Sequence, residues 1–504
     1  MVGNPCLKLI LGAFLMAPAL AGAAGEATPR PGTDYVPEHL VVRLSGDRSS
    51  QDDKSLQQEA IKTLFEAFKT KEAAKSKAGT TNRFAELREG LYFFRLPTHV
   101  TVQRGVRIAM ETPGVEWAEP NYILFPAQVG EATTPPVAPE APDALPQVTS
   151  AGKSVVIAVI DTGTDYNHKD LAGNIDINYD DIAGDGIDND GNGYVDDTYG
   201  YGYDRWYQVS DWLGFGDHSA LPEGADDVHG TLVASVAAGK GSNNELTTPL
   251  SDNIKILPIR ATTTLGWSAA VDYAIARGAN VINLSQFTTW DSYLLSDALE
   301  RARAAGVTVV TASGNDGRSI NTKAAGGKYS LYYPPAWGMD NVISVGYVDA
   351  EGKLDPNSNY GPAVDLYARG TDVMGLAPGD SKTMESGSSL AAPLVAYNVA
   401  LLKLQNPEWT PQQLKDYLKT NANQSDNLNP EGLDRAAVAG RVLNPDATLK
   451  PEYRELTLDQ LIAARDGRAS RGERATSLGV NKMLDAVKKS MDKQAKSPTS
   501  PKKK

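Results

Sequence analysis

The strongest constraint on the fold is an alternation of short apolar runs with amphipathic stretches between residues 155 and 423. The apolar runs are rich in β-branched residues, which is typical of buried parallel strands. The alternation predicts an α/β fold, a mostly parallel sheet covered by helices on both faces. The predicted strands are residues 154–160, 254–259, 279–284 and 307–312, and the predicted helices are residues 231–239, 268–277 and 293–305.

A smaller unit precedes this region. Residues 38–44, 90–96 and 115–122 alternate like strands, and residues 56–78 and 102–111 have helical composition. We therefore expect residues 35–126 to form a small α+β domain. Residues 127–150 are rich in Pro, Ala and Thr without apolar periodicity and are predicted to be a linker, so that the main domain covers residues 151–444.

The N-terminal segment resembles a secretory signal. Lys8 precedes an apolar run over residues 9–17, and small residues near residue 23 offer a cleavage site. Residues 1–23 are thus a predicted signal peptide, and the protein is expected to be secreted, either extracellular or periplasmic. A membrane anchor is the alternative, but the run is shorter than the ~20 residues that span a bilayer. The only cysteine, Cys6, lies here, which excludes a disulfide framework after cleavage.

The charge of the chain is unevenly distributed. The net charge is −13, yet residues 445–504 carry 14 Lys and Arg against 8 Asp and Glu. An acidic body argues against nucleic-acid binding by the main domain. The basic C-terminal tail, partly helical in composition, could contact an anionic envelope surface, or it could be a solvated, disordered end.

Four short motifs carry residues suited to peptide hydrolysis. They are Asp161 in IDTG, His229 in VHGT, Asn315 in ASGND and Ser389 in ESGSSLAAP. Attack by a hydroxyl group needs a base and a group that orients the base, and an amide can stabilise the oxyanion. The order Asp, His, Ser is the one found in subtilisin. The motifs together resemble the subtilisin-like serine peptidase (subtilase) family.

The resemblance implies a role for each of these residues. Ser389 would be the nucleophile in the first turn of a helix, His229 the general base and Asp161 the group that orients it. Asn315 would stabilise the oxyanion together with the backbone N–H of Ser389. Taken singly, His229 could be structural and Asp161 or Asn315 could stabilise a turn. Pro393 is expected near the start of the helix, where a missing N–H has no effect.

The resemblance also implies where a peptide binds. Ser285, Gln286, Phe287 and Gly314 are the predicted substrate-binding residues. The family usually has Ser-Leu-Gly-Gly where this chain has Ser-Gln-Phe-Thr from residue 285. Phe287 in place of glycine could fill part of the S1 entrance. Two functions therefore remain open: a secreted endopeptidase acting on proteins or peptides, or a scaffold of the same fold that binds peptides or proteins with little turnover.

The end of the first unit, PGVEWAEPNY over residues 113–122, looks like the end of a subtilase propeptide. In that family the propeptide assists folding and inhibits the enzyme until it is cleaved. The chain's own propeptide is therefore an expected intramolecular inhibitor, with an unrelated ferredoxin-like module as the alternative.

A second kind of site is indicated by the sequence DNDGNGYVD from residue 188. Asp188, Asp190, Asn192 and Asp196 have the spacing of oxygen ligands at the start of a calcium loop. Tyr199 stands where an EF-hand has its last glutamate, so the motif is incomplete. Asp170 matches a calcium ligand of the family. Structural calcium is the expected cofactor, and an Asp/Gly turn is the alternative.

Overall fold

The computed structural model describes residues 35–46, 51–68, 84–126, 154–203, 219–224, 227–240, 253–321, 331–424 and 441–443. The predicted signal peptide, the linker and the basic tail lie outside the described residues. Along the described parts of the chain, none of the helices combines the length and the apolar composition that a membrane crossing requires.

The first unit is an antiparallel four-stranded sheet that packs against two helices. The strands follow the order β2-β3-β1-β4. Their buried side chains and those of the helices form one apolar core, as alternating strand patterns predict. The elements are β1 Tyr35–Leu44, α1 Gln51–Phe68, β2 Phe84–Arg88, β3 Leu91–Arg95, α2 Val102–Met110 and β4 Val115–Tyr122.

A short strand, β5 Phe125–Pro126, follows and pairs with the second unit. The second unit contains a nine-stranded sheet in the order β16-β17-β13-β12-β11-β9-β6-β8-β7. Its strand pairs are parallel except that of β16 with β17. The strands are β6 Val155–Asp161, β7 Tyr201–Gly202, β8 Ile254–Arg260, β9 Val281–Leu284, β11 Thr308–Ala312, β12 Val342–Val348, β13 Leu366–Arg369, β16 Asn423–Gln424 and β17 Arg441–Val442.

Helices cover both faces of this sheet, and β6 shows why. Val155, Ile157 and Val159 belong to the apolar layer on one face, whereas Val156 and Ile160 belong to the layer on the other. Helices α3 His229–Ala237, α6 Ser388–Gln405 and α7 Pro411–Thr420 contribute to the first layer, and α4 Thr264–Ala276 and α5 Tyr293–Ala304 to the second. The predicted α/β class is confirmed. Two short strands, β14 Val373–Ala377 and β15 Ser381–Glu385, form a hairpin, and β10 Gln286–Phe287 pairs with β5.

The first unit packs on the face formed by α4 and α5. Glu119 of β4 is fully buried there and caps α5: its carboxylate accepts from the Ser292 hydroxyl at 2.7 Å and from the amides of Tyr293 and Leu294 at 2.8 and 3.1 Å. A negative charge at a helix start is favourable. Burial nevertheless raises the pKa of Glu119 to about 7, against the effect of these three hydrogen bonds.

Charged and aromatic contacts extend the same interface. Arg88 of β2 forms ion pairs with Asp272 of α4 and Asp297 of α5. Trp117 stacks on Tyr293 with ring centroids 5.9 Å apart. The first unit is therefore held by contacts with the beginnings and outer faces of two helices of the second unit.

Candidate active site

Two of the predicted catalytic side chains contact each other at the edge of the large sheet. Asp161 is the last residue of β6, and His229 is the first residue of α3. The Nδ1 atom of His229 lies 2.6 Å from Oδ1 of Asp161, and both side chains are buried. Because an ionised carboxylate only accepts, Nδ1 donates in this pair and Nε2 is the basic nitrogen. A histidine takes a proton from a hydroxyl group in this tautomer.

The start of α3 approaches the loop after β6 too closely for an extra side chain. A Cβ atom on Gly230 would lie 2.0 Å from the carbonyl oxygen of Gly163, which explains the glycine after the histidine. Thr162 joins the same two segments, since its hydroxyl donates to Asp227 at 2.5 Å and accepts from the Gly230 amide at 3.3 Å. These contacts hold the helix start against the strand end.

Asp227 is a titratable group beside this pair that the sequence analysis did not identify. Burial raises the pKa of its carboxyl to about 6; the hydrogen bond from Thr162 acts in the opposite direction, and the charge of Asp161 adds to the increase. Nothing in the sequence distinguishes it from an ordinary acidic residue before a helix.

Ser389, the predicted nucleophile, is the second residue of α6. The expectation for Pro393 was wrong: it lies inside the helix and removes the N–H that would bond to the Ser389 carbonyl. The hydroxyl of Ser285 donates to that carbonyl at 2.8 Å instead, and Asn283 donates to the Ser285 hydroxyl at 3.0 Å. The Ser389 hydroxyl donates to the Ser285 carbonyl at 3.3 Å. Because Pro393 has no N–H, the Ser389 carbonyl is available for the hydrogen bond from Ser285, and this bond connects α6 to the predicted substrate strand.

Asn315 lies beside the start of α6. Its Oδ1 accepts from the amide and the hydroxyl of Ser388 at 2.9 and 2.7 Å. The Ser388 hydroxyl in turn accepts from the amide of Gly314 at 3.1 Å. Because these bonds orient Oδ1 toward Ser388, the Nδ2 amide is the part of Asn315 that can donate to a reacting group.

Asn359 supports this loop and was missed by the sequence analysis. Its side chain is fully buried, donates to the Ser313 carbonyl at 2.9 Å and accepts from the amides of Asp316 and Arg318 at 3.2 and 2.9 Å. It follows the loop by more than forty residues in the sequence and belongs to no motif that we recognised, so only the fold reveals the contact.

The predicted substrate strand pairs with the end of the first unit. In β10, Gln286 is opposite Pro126 and Phe287 is opposite Phe125, in antiparallel register. On the other side, the Leu124 amide donates to the Thr262 carbonyl at 2.9 Å. The extended segment 123–126 thus lies between residues 262–263 and β10, in the manner of a peptide added to a sheet edge.

Phe287 does not prevent this pairing. Its ring packs against Tyr332 with centroids 5.0 Å apart, and the Tyr332 hydroxyl donates to Asp316 at 2.7 Å. A Cβ atom on Gly314 would lie 3.3 Å from the Tyr332 ring. The Tyr332 ring therefore lies beside Gly314 with Phe287 packed on it, and the backbone of β10 pairs with residues 125–126.

The predicted calcium loop is held by its own hydrogen bonds. The carboxylates of Asp188 and Asp196 accept from backbone amides of the loop, and Asn192 donates to Asp190 at 2.9 Å. Asp170 is exposed. Among the described residues no three His, Cys, Asp or Glu side chains converge as a metal site would require. Calcium binding here stays a prediction.

A buried carboxylate that the sequence analysis did not select anchors the loop. Asp197 accepts from the Tyr273 hydroxyl at 2.8 Å, from Arg277 at 3.2 Å and from Asn178 at 2.6 Å. Its backbone amide donates to Asp181 at 2.6 Å. The loop is thus joined to α4 by protein contacts.

Comparisons with known proteins show a hydrolase of the serine peptidase class. The family model of the subtilase family matches residues 152–440, more than half of the chain. The chain is 32% identical over 315 residues to a thermophilic serine proteinase of Bacillus sp. (strain AK1), which covers 60% of this chain and 67% of that protein. The chain therefore belongs to the subtilase family, the subtilisin-like serine endopeptidases, whose substrates are proteins or peptides.

Two further comparisons agree. Halolysin of Haloferax mediterranei is 32% identical over 287 residues, which cover 56% of this chain and 47% of halolysin. The crystal structure of fervidolysin from Fervidobacterium pennivorans, a keratinolytic enzyme related to subtilisin, shows the same fold with a TM-score of 0.56. The match covers 84% of this chain and 62% of the fervidolysin chain, at 20% sequence identity. Apart from the Bacillus proteinase, the matches to curated relatives cover about half or less of the length of those proteins.

Proposed function

We propose that the chain is a secreted endopeptidase that hydrolyses proteins or peptides by acyl transfer through Asp161, His229 and Ser389. The observation that carries this proposal is the 2.6 Å hydrogen bond between Asp161 and His229, which selects the basic tautomer of the histidine. Ser389 lies in the first turn of α6, a helix that packs in the same apolar layer as α3. Both observations agree with the Asp–His–Ser order of the motifs.

In the proposed mechanism the Ser389 oxygen attacks the peptide carbonyl while Nε2 of His229 takes the hydroxyl proton. The histidine then gives this proton to the leaving amine, and the C–N bond breaks to leave an acyl-enzyme. Water attacks the ester in the same way and releases the acid and Ser389. Asp161 stabilises the imidazolium, and the Nδ2 amide of Asn315 with the backbone N–H of Ser389 stabilises the oxyanion.

We also propose that residues 35–126 are a propeptide that inhibits the enzyme until it is cleaved within or next to the linker. The pairing of residues 125–126 with β10 supports this proposal, because a peptide substrate would need the same strand. The buried contacts of Glu119 at the start of α5 would hold the propeptide in place.

Structural calcium and envelope contact belong to the same proposal. Asp188, Asp190, Asn192 and Asp196 would hold the ion, since all four supply oxygen atoms, the ligand type that calcium prefers. The ion would stabilise the surface loop and takes no part in the chemical steps. The basic tail would contact an anionic surface by charge.

Hydrolysis of an unstructured protein by the purified chain tests the function. We expect cleavage by the wild type, none by Ser389→Ala, and normal cleavage by Ser386→Ala, a control three positions earlier. Binding of peptides without cleavage by all three would favour the scaffold function instead.

A further inference from the structure

Gln286 has an unusual environment for a residue of the predicted substrate strand. Its side chain is fully buried, and the indole Nε1 of Trp267 donates to its Oε1 at 3.2 Å. Because an indole N–H only donates, the glutamine atom that faces Trp267 is the oxygen. The Nε2 amino group of Gln286 therefore points away from the indole nitrogen and is not used in this hydrogen bond.

That amino group is buried with no acceptor within hydrogen-bonding distance in the part of the chain that the structure describes. Buried donors normally have a partner, because an unpaired donor loses its hydration without replacement. The donor lies on the strand that pairs with the segment in the cleft. An occupant of the cleft could therefore supply the acceptor.

The segment that now lies in the cleft places an apolar side chain, that of Leu124, near this position. Leu124 lies two residues before Pro126, the strand partner of Gln286. Side chains two residues apart on a strand share a face, and diagonal pairs across antiparallel strands contact each other. Leu124 is buried and belongs to the same apolar cluster as Trp267. A leucine side chain has no acceptor to offer the amide.

We infer, on the basis of the proposed peptidase function, that Gln286 is a specificity-determining residue whose amide donates to a substrate side chain in the position of Leu124. The preferred side chain there carries a carboxamide or carboxylate oxygen, and asparagine matches leucine in size. The propeptide segment is then a mismatched ligand at this position. Substrates with an acceptor bind more tightly than the chain's own leucine.

A double-mutant cycle in the full chain tests the contact without any hydrolysis. Leu124→Asn and Gln286→Leu are made singly and together in the Ser389→Ala background, and urea unfolding is measured. We expect the asparagine introduced by Leu124→Asn to interact favourably with the native Gln286. The interaction should change the unfolding equilibrium constant by about tenfold beyond the sum of the two single effects. Additive effects, within about twofold, would overturn the inference.

Gln286→Glu is the matched control, because it keeps an acceptor for Trp267 and replaces the amino group by oxygen. This variant is combined with Leu124→Asp, because a carboxylate only accepts hydrogen bonds and cannot donate to the new glutamate. We expect Leu124→Asp to be at least about tenfold less favourable for folding in the Gln286→Glu chain than in the chain with the native glutamine. An equal effect of Leu124→Asp in the two chains would show that the amino group is not the recognising atom and would contradict the inference.

Peptide hydrolysis gives an independent readout with Ser389 intact. Two peptides that differ only by Asn or Leu at this position are compared by kcat/KM. We expect the Asn-to-Leu ratio to fall about tenfold in Gln286→Leu, and an unchanged ratio with normal cleavage would overturn the inference. Loss of all cleavage with the coupling intact would instead contradict the proposed function and support recognition by Gln286.

Discussion

The imidazole of His229 and the carboxylate of Asp161 are joined by a 2.6 Å hydrogen bond that connects the start of a helix to the end of a strand. The bond fixes which histidine nitrogen is basic, and both groups are buried from water. In an α/β sheet, side chains at the carboxyl ends of strands meet at one edge. The chemistry proposed for the chain is therefore a consequence of where β6 ends and α3 begins.

Replacing Asp161 by Asn should abolish most of the turnover. An amide at this position can donate to Nδ1 and so stabilises the wrong tautomer, for which a loss of about 10⁴ in kcat is typical. We expect the thermal unfolding midpoint to change little, since the volume is conserved. Steady-state kinetics and circular dichroism measure both effects. A kcat within tenfold of the wild type would contradict the role of Asp161.

Asn315→Ala should lower kcat by about 10²–10³ with little change in KM, because the lost amide acts on the developing oxyanion. Asn357→Ala is the control, since Asn357 is exposed in a neighbouring loop. Steady-state kinetics on a short peptide substrate measure kcat and KM separately. An equal loss in both variants, or a loss confined to KM, would show that Asn315 has no such role.

The stability of the precursor should depend on pH through Glu119. The folded chain has a pKa of about 7 for this carboxyl against an ordinary 4.5, so between these values it holds a proton that the unfolded chain releases. The contribution of Glu119 to stability is therefore greatest below pH 4.5 and falls, on the order of 3 kcal/mol, as the pH rises to about 7. Glu119→Gln in the Ser389→Ala chain should remove this loss.

The titration of His39 changes the stability with pH in the opposite direction to Glu119. The effect of Glu119 is therefore measured by comparing the Glu119→Gln variant with its parent chain. Burial, with a contribution from Arg95, lowers the pKa of His39 from 6.5 to about 4, so its contribution to stability rises with pH over that window. Urea unfolding at pH 5 and pH 7.5 measures the difference between the chain with Glu119 and the Glu119→Gln variant, in which the His39 effect cancels. Identical pH slopes for the two chains would contradict the prediction.

Phe287→Gly should improve cleavage of peptides with a bulky residue before the scissile bond. The ring of Phe287 packs on Tyr332, which lies beside Gly314. Removing the Phe287 ring should open space for a large side chain. We expect a rise of about tenfold in kcat/KM for such peptides, comparable to 1–3 kcal/mol for a changed apolar contact. Peptides with alanine there are the control. No gain for bulky peptides would exclude obstruction by Phe287.

Calcium removal should lower the thermal unfolding midpoint if Asp188, Asp190, Asn192 and Asp196 hold the ion. A chelator followed by calcium or magnesium distinguishes the ions, since calcium accepts flexible oxygen coordination and magnesium requires a tighter octahedron. We expect calcium alone to restore the midpoint and Asp188→Asn to weaken the effect. An unchanged midpoint after chelation would favour the Asp/Gly turn.

Much of the fold could be predicted from apolar periodicity. The runs that became β6, β8, β9 and β11 were identified because buried parallel strands are continuous apolar segments. Strands β12, β13, β14 and β15 are not among the predicted strands. Strand β12 is fully buried and has the same kind of pattern as β6, so its omission was an oversight of the sequence reasoning. Strand β15 gives a weak signal, because it alternates intermediate and exposed residues and packs mainly through its hairpin partner. Helix α4 begins at Thr264, four residues before the prediction, because its cap Thr263 lies in a threonine-rich stretch with no single start signal.

The site was predictable where the residue type itself carries chemistry. Asp161, His229, Asn315 and Ser389 stand in motifs, whereas Asn359 acts through backbone atoms of a distant loop and leaves no local signal. The role of Ser285 follows from a carbonyl that Pro393 leaves without its helical donor, which depends on where the helix begins. Such contacts are long-range and cannot be read from spacing.

The most direct test of the central claim follows the precursor and its Ser389→Ala variant by intact mass, with and without a serine-directed fluorophosphonate. We predict that the wild type shortens near residues 120–150 and carries one label on Ser389, while the variant stays whole and unlabelled. If the wild type stays whole and takes up no label, or if the variant is processed and labelled equally, Ser389 is not the nucleophile.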